Sequence, residues 1–137
     1  MSLVNLAELL KPANEQKYAV GAFDVFSIEM ASAVIRAAEE TKSPVILAYV
    51  EAFDTLVSME SYVAFLRRLA EDASVPVCIH LDHATNLEII QRAVRCGFSS
   101  VMIDASDKSF EENIAATAEV VGICKPLGIS VESELGH

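Results

Sequence analysis

His80, Asp82 and His83 close an apolar run, Val75-Pro76-Val77-Cys78-Ile79-His80-Leu81-Asp82-His83, that has the composition of a buried strand. Side chains alternate along a strand, so Val77, Ile79 and Leu81 share one face and Cys78, His80 and Asp82 share the other. One face is greasy and the other is chemical, with His83 expected just past the strand end. An unpaired carboxylate buried beside imidazoles costs several kcal/mol, so a metal ion or a hydrogen-bond network must accompany the cluster. A metal is the sharper reading. Two further acids fit the same pattern: Asp104 ends the run Ser99-Ser-Val-Met-Ile-Asp104, and Glu134 ends Ile129-Ser-Val-Glu-Ser-Glu134.

The elements that must position these groups recur as strand-helix units of about 25 to 30 residues with short loops, the pattern of a parallel sheet covered by helices. Leu3 to Leu10 is expected as a short amphipathic helix stopped by Pro12, and Tyr18 to Phe23 as the first strand. Ser27 caps a helix to about Glu40 with Met30, Val34, Ala37 and Ala38 as its inner stripe. Pro44 to Val50 is the second strand, and Ser58 opens a helix with Tyr62, Phe65, Leu66 and Leu69 at helical spacing. After the key strand, Thr85-x-x-Glu88 is a capping box for a helix ending near Cys96, where Gly97 supplies a left-handed cap. A second box, Ser109-x-x-Glu112, opens a helix through Val120, Val121 and Cys124, ended by Pro126 and Gly128.

Two architectures suit such a pattern, an open doubly wound sheet or a (β/α)8 barrel. Acids at the carboxyl ends of three consecutive strands favour the TIM barrel, whose enzymes place their catalytic groups there. Neighbouring strands lie about 4.8 Å apart, so Asp82, Asp104 and Glu134 would converge within coordination distance of one or two cations. No glycine-rich phosphate fingerprint follows the first strand, which weakens a dinucleotide-binding alternative. A barrel takes about 250 residues, and only about the first five strands are present. The expectation is therefore that residues 1–137 are the N-terminal part of a single barrel domain. The rival is an open five-stranded sheet complete in itself.

Composition narrows the function. The 137 residues are 53% hydrophobic with a net charge of −10. No clustered Lys and Arg offers a phosphate backbone a surface, so nucleic-acid binding is not expected. No apolar run reaches the roughly 18 residues of a membrane span and no secretory layout is present, so a cytoplasmic protein away from the membrane is expected. Cys78, Cys96 and Cys124 lie apart in apolar stretches, as reduced core thiols do.

The motifs taken together resemble the class II zinc-dependent ketose-bisphosphate aldolases, of the fructose- and tagatose-bisphosphate type. The resemblance runs through Tyr18-Ala-Val-Gly-Ala-Phe23, Pro44-Val-Ile-Leu47, Pro76-Val-Cys-Ile-His-Leu-Asp-His-Ala84, Gly97-Phe-Ser-Ser-Val-Met-Ile-Asp104, Phe110-Glu-Glu-Asn-Ile114 and Val131-Glu-Ser-Glu-Leu-Gly136. It implies that Asp82 is the general acid/base and His83 the first of three catalytic zinc ligands. Asp104 and Glu134 resemble the carboxylates of a second or alternative metal position, which would take a second divalent or a monovalent cation. Zinc would polarise the ketone and stabilise the enediolate of dihydroxyacetone phosphate. His80 and Glu132 are read as groups that support the site by hydrogen bonding. His137 is given no metal role. The resemblance further implies that two more zinc histidines, a glutamate base and the phosphate loops lie beyond residue 137, and that the protein is a homodimer or homotetramer acting on a small sugar phosphate.

Departures from the family pattern concern the substrate. Asp24 stands where relatives carry asparagine, and Val50 where they carry a small hydroxyl residue; in fructose-bisphosphate aldolases both positions serve the distal phosphate. A carboxylate and a methyl pair there repel an anion, so the aldehyde half of the substrate is expected to lack its phosphate. Ala105 replaces a usual glycine and Asp107 a usual histidine. Two other functions suit parts of the pattern: a non-catalytic structural paralogue within an aldolase assembly, and a metal-assisted hydrolase on a barrel.

Overall fold

The computed structural model describes residues 2–136, which hold five parallel strands in sequence order, with each strand hydrogen-bonded to the next. These are β1 (Gly21–Asp24), β2 (Val45–Val50), β3 (Val77–Ala84), β4 (Ser100–Ile103) and β5 (Ser130–Ser133). The helices are α1 (Leu6–Gln16), α2 (Ile28–Thr41), α3 (Met59–Asp72), α4 (Leu87–Cys96) and α5 (Phe110–Cys124), with short 3-10 turns at Glu51–Thr55 and Lys125–Leu127. A doubly wound sheet reverses its strand order at a switch point. This one does not reverse, and the five strands form part of a barrel.

The two sheet faces have different covers. Leu47 and Tyr49 of β2, Val77, Ile79 and Leu81 of β3, and Val101 and Ile103 of β4 join one core with residues of the four crossover helices. On the opposite face Ile46 and Cys78 pack under Leu6 and Leu9 of α1. The Val4 N–H donates to the Val77 carbonyl (2.9 Å) and the Ala7 N–H to the Ser130 hydroxyl (3.0 Å), which fixes α1 across the amino-terminal end of that face. The carboxyl-terminal end of the same face stays open. It carries His80, Asp82 and Glu132.

Several local expectations change. Pro12 does not stop α1: the helix runs on to Gln16, because the carbonyl deprived of its partner belongs to solvent-exposed Glu8. Asn5 and Glu8 form a capping box at its start, and it ends where Lys17 turns left-handed. The first strand begins at Gly21, so Tyr18 to Val20 lie outside it. The cap of α4 is Asn86, a stronger capping residue than Thr85, and its side chain accepts from the Ile89 N–H at 3.0 Å. The buried stripe of α2 is Ala31, Ile35 and Ala38, while Ala37 is exposed beside β1. Gly97 caps α4 at φ 89°, and its carbonyl accepts from the Arg67 guanidinium at 2.8 Å. Among the described residues no helix is long and apolar enough to cross a membrane.

Candidate active site

Strand alternation would send Asp82 and His83 to opposite faces. The structure brings them to one place by a break in register: Leu81 pairs with Val101 but Ala84 with Ile103, so β3 uses three steps where β4 uses two. This is a bulge, and His83 occupies its left-handed position at φ 49°. The strand continues through Ala84, so His83 lies within it rather than past its end. As a result His83 Nε2 stands 3.7 Å from Asp82 Oδ1.

Two acids on the following strands complete the mouth. Asp104 and Glu134 follow Ile103 and Ser133, which pair across β4 and β5, so the two acids stand side by side. Asp104 Oδ2 lies 2.9 Å from His83 Nδ1, and Asp104 Oδ1 accepts from the Ser106 hydroxyl (2.7 Å) and N–H (3.1 Å). Those bonds hold the Asp104 carboxyl down at about 2, the His83 contact contributing most, and the same contact raises His83. Ligand atoms of His83, Asp104 and Glu134 all lie within 4.8 Å of one another. An imidazole nitrogen and two carboxylate oxygens are donor types that zinc takes, and the two acids supply the charge that a divalent ion neutralises. The donor set fits such an ion.

His80 and Glu132 lie deeper. His80 is 5% exposed, and burial depresses its imidazole to about 4, which keeps it neutral. Its Nε2 lies 3.4 Å from Glu132 Oε2 and 3.8 Å from Asp82 Oδ1, and its Nδ1 lies 2.9 Å from the Ser100 hydroxyl. Carboxylates only accept, so the network assigns the ring proton to Nε2 and makes Nδ1 the acceptor of the Ser100 O–H. Burial, reinforced by Asp82, raises the Glu132 carboxyl. The desolvation cost expected for the whole cluster thus falls on His80 and Glu132, whereas the side chains of Asp82 (28% exposed) and His83 (51%) open to the mouth.

The substrate-facing positions separate. Val50 is the register partner of Asp82, whereas Asp24 pairs with Ala48, which in turn pairs with His80. Val50 therefore adjoins the acid, and Asp24 is exposed two strands away from it. His137 lies outside the described residues.

Other groups at the mouth had weaker sequence signals. Asp54, in the turn after β2, accepts two bonds from Arg92 (both 2.9 Å) and the Met59 N–H (2.7 Å). Arg92 also reaches Glu60, at 2.7 Å, and no local pattern joins residues so far apart in sequence. Ser100 was visible only as a hydroxyl inside an apolar strand. Asn113, 4% exposed on α5, was visible as a polar residue on the face that carries Val120 and Cys124.

Comparison with known proteins places this geometry. The profile for "Fructose-bisphosphate aldolase class-II" matches residues 4–137. A probable fructose-bisphosphate aldolase of Bacillus subtilis is 46% identical over 99% of this chain and 49% of its own length. A 6-phospho-5-dehydro-2-deoxy-D-gluconate aldolase of Halalkalibacterium halodurans is 39% identical over 99% of the chain and 48% of its own. The crystal structure of the YdjI aldolase from Escherichia coli superposes with a TM-score of 0.95 at 43% identity, over 98% of this chain and 52% of that one. The chain spans about half the length of the curated relatives it matches. With a profile that covers nearly every residue, the chain belongs to the class-II fructose-bisphosphate aldolase family.

Proposed function

We propose that residues 1–137 form the N-terminal part of a single (β/α)8 domain of a zinc-dependent aldolase, which cleaves or forms a carbon-carbon bond in a phosphorylated ketose. Dihydroxyacetone phosphate is the ketone half. The observation that carries this reading is the bulge that sets Asp82 and His83 side by side, with Asp104 and Glu134 on the next two strands. His83 would hold the catalytic zinc together with two further histidines, and Asp104 and Glu134 beside it would serve a second or alternative cation position, taken by a divalent or a monovalent ion. A bound divalent ion supplies Lewis acidity, which draws electrons from a ketone and steadies the negative charge left beside it when the bond breaks.

Asp82 moves the proton. In cleavage its carboxylate accepts the proton of the hydroxyl on the aldehyde-side carbon. The carbon-oxygen double bond forms there as the carbon-carbon pair departs to the ketone half, and condensation reverses each transfer. His80 keeps Asp82 in a fixed surround as a neutral group, and Ser100 and Glu132 hold the His80 ring in turn. Val50 beside Asp82 gives the aldehyde half an apolar neighbour, and Asp24 adds negative charge farther along the mouth. An aldehyde half without phosphate suits both. A relative named for a substrate with one phosphate supports that choice. By family pattern the protein works in the cytoplasm as a homodimer or homotetramer. An intact proton-transfer acid beside the metal donors favours an enzyme over a non-catalytic paralogue.

The test is release of dihydroxyacetone phosphate by the intact protein from ketose 1-phosphates and from fructose 1,6-bisphosphate. Singly phosphorylated ketoses are the expected better substrates. Asp82→Asn should keep its zinc and lose about 10²- to 10⁴-fold in turnover. Equal efficiency on the bisphosphate removes the unphosphorylated aldehyde half, and undiminished Asp82→Asn turnover removes Asp82 from the chemistry. Absence of carbon-carbon cleavage on every phosphorylated ketose overturns the reading.

A further inference from the structure

Asn113 is the one buried side-chain amide among the described residues, on the α5 face that carries the core residues Val120 and Cys124. An amide at such a position costs about 1 to 3 kcal/mol if its hydrogen bonds go unmade. They are made, and their partners are informative. Asn113 Nδ2 donates to the carbonyl oxygens of both Ala105 and Glu134, each at 2.9 Å, and its Oδ1 accepts from the Thr117 hydroxyl at 3.4 Å. Ala105 directly follows Asp104, and Glu134 is itself one of the acids. Both carbonyls lie past the ends of β4 and β5, where the pairing of those strands has stopped.

We infer that Asn113 is a positioning residue for the cation centre, a planar two-donor clip that sets the spacing between the chain segments presenting Asp104 and Glu134. The inference rests on the reading of His83, Asp104 and Glu134 as metal donors. The chemistry explains the residue type. Two N–H bonds diverging from one nitrogen reach two carbonyls at once, and an acceptor on the same plane lets Thr117 fix which way the plane faces. Aspartate has no N–H to offer, and leucine fills the space with neither.

The experiment measures zinc affinity of the intact protein by chelator competition, and the visible spectrum of its cobalt form. Asn113→Ala is expected to weaken zinc about tenfold or more, as loss of outer support for a metal site does, and to change the cobalt bands. Val120→Ala, a control on the same helix face, should lower the melting temperature yet keep zinc affinity within about twofold, well short of that loss. Asn113→Ala with parental affinity, or Val120→Ala with an equal loss, overturns the inference. If Asn113→Ala does not fold, Asn113→Ser keeps one donor and should weaken zinc about threefold, a fraction of the full loss; unchanged affinity then overturns it. A parent that binds zinc but cleaves no carbon-carbon bond removes the proposed activity and leaves Asn113 in its role. A parent that binds no zinc removes both.

Discussion

His83 holds a left-handed backbone conformation at φ 49°, which costs a residue with a Cβ on the order of 1 to 2 kcal/mol. The surrounding sheet enforces it, since pairing resumes at Ala84 with Ile103. In return the imidazole meets Asp82 and Asp104 on one side of the sheet. His80 shows a different economy of charge, because burial holds it neutral down to about 4. Its folded pKa lies below the unfolded value near 6.5, so its contribution to stability is complete above that value. That contribution is lost as pH falls from about 6.5 through 4, and the shift corresponds to on the order of 3 kcal/mol. Glu132, whose carboxyl burial raises, works in the opposite sense and offsets part of the loss. Urea unfolding of the intact protein between pH 7 and pH 4 should therefore show a decline that His80→Gln lacks; parallel curves would mean that His80 charges without penalty. The types and parity of His80, Asp82 and His83 were legible in sequence, because alternation is a property of any strand. The bulge was not, because it exists only between two strands.

At the scale of elements, the turn after β2 shows how the mouth is braced. Asp54 joins that turn to α4 through two Arg92 bonds and to the start of α3 through the Met59 N–H, and Tyr49 reaches it from β2 at 3.4 Å. Glu60 accepts from another edge of the same Arg92 guanidinium, and its carboxyl is drawn down to about 2, chiefly by Arg92. Asp54→Ala leaves the Met59 N–H and the guanidinium without their acceptor and should cost on the order of 2 kcal/mol. It should also speed proteolysis within Glu51–Thr55, whereas Glu60→Gln, at an exposed carboxylate, should change both much less. Equal effects of the two variants would place the brace at Glu60 instead. The caps Ser27, Ser58, Ser109 and Gly97 were legible because capping is a contest within a few residues. Pro12 and Thr85 misled because a second local factor won at each: the carbonyl that Pro12 leaves without a partner is on solvent-exposed Glu8, and Asn86 beside Thr85 is the stronger cap.

At the scale of the whole molecule, the partial barrel has two open flanks. A groove of about 880 Å³ beside β1 is lined by Tyr18, Phe23, Val34 and Ala37 among others, and one of about 310 Å³ beside β5 by Val121, Ile129 and Val131. Exposed strand edges next to apolar side chains template further association. Residues 1–137 expressed alone should therefore associate in a concentration-dependent way, bind a hydrophobic dye and show no aldolase turnover. A monomer silent to the dye in size-exclusion chromatography would show that these flanks need no cover. The sequence by itself determined the order of strands and helices, the reduced cysteines, the acids at three strand ends and the family, since each depends on periodicity or on motifs a few residues long. Only the tertiary structure decided that His83 turns back beside Asp82, that Ser100 holds His80, and that Asn113 and Asp54 tie separate loops together. Those contacts join residues 20 or more positions apart or arise from a mismatch between strands, and no local pattern carries that information.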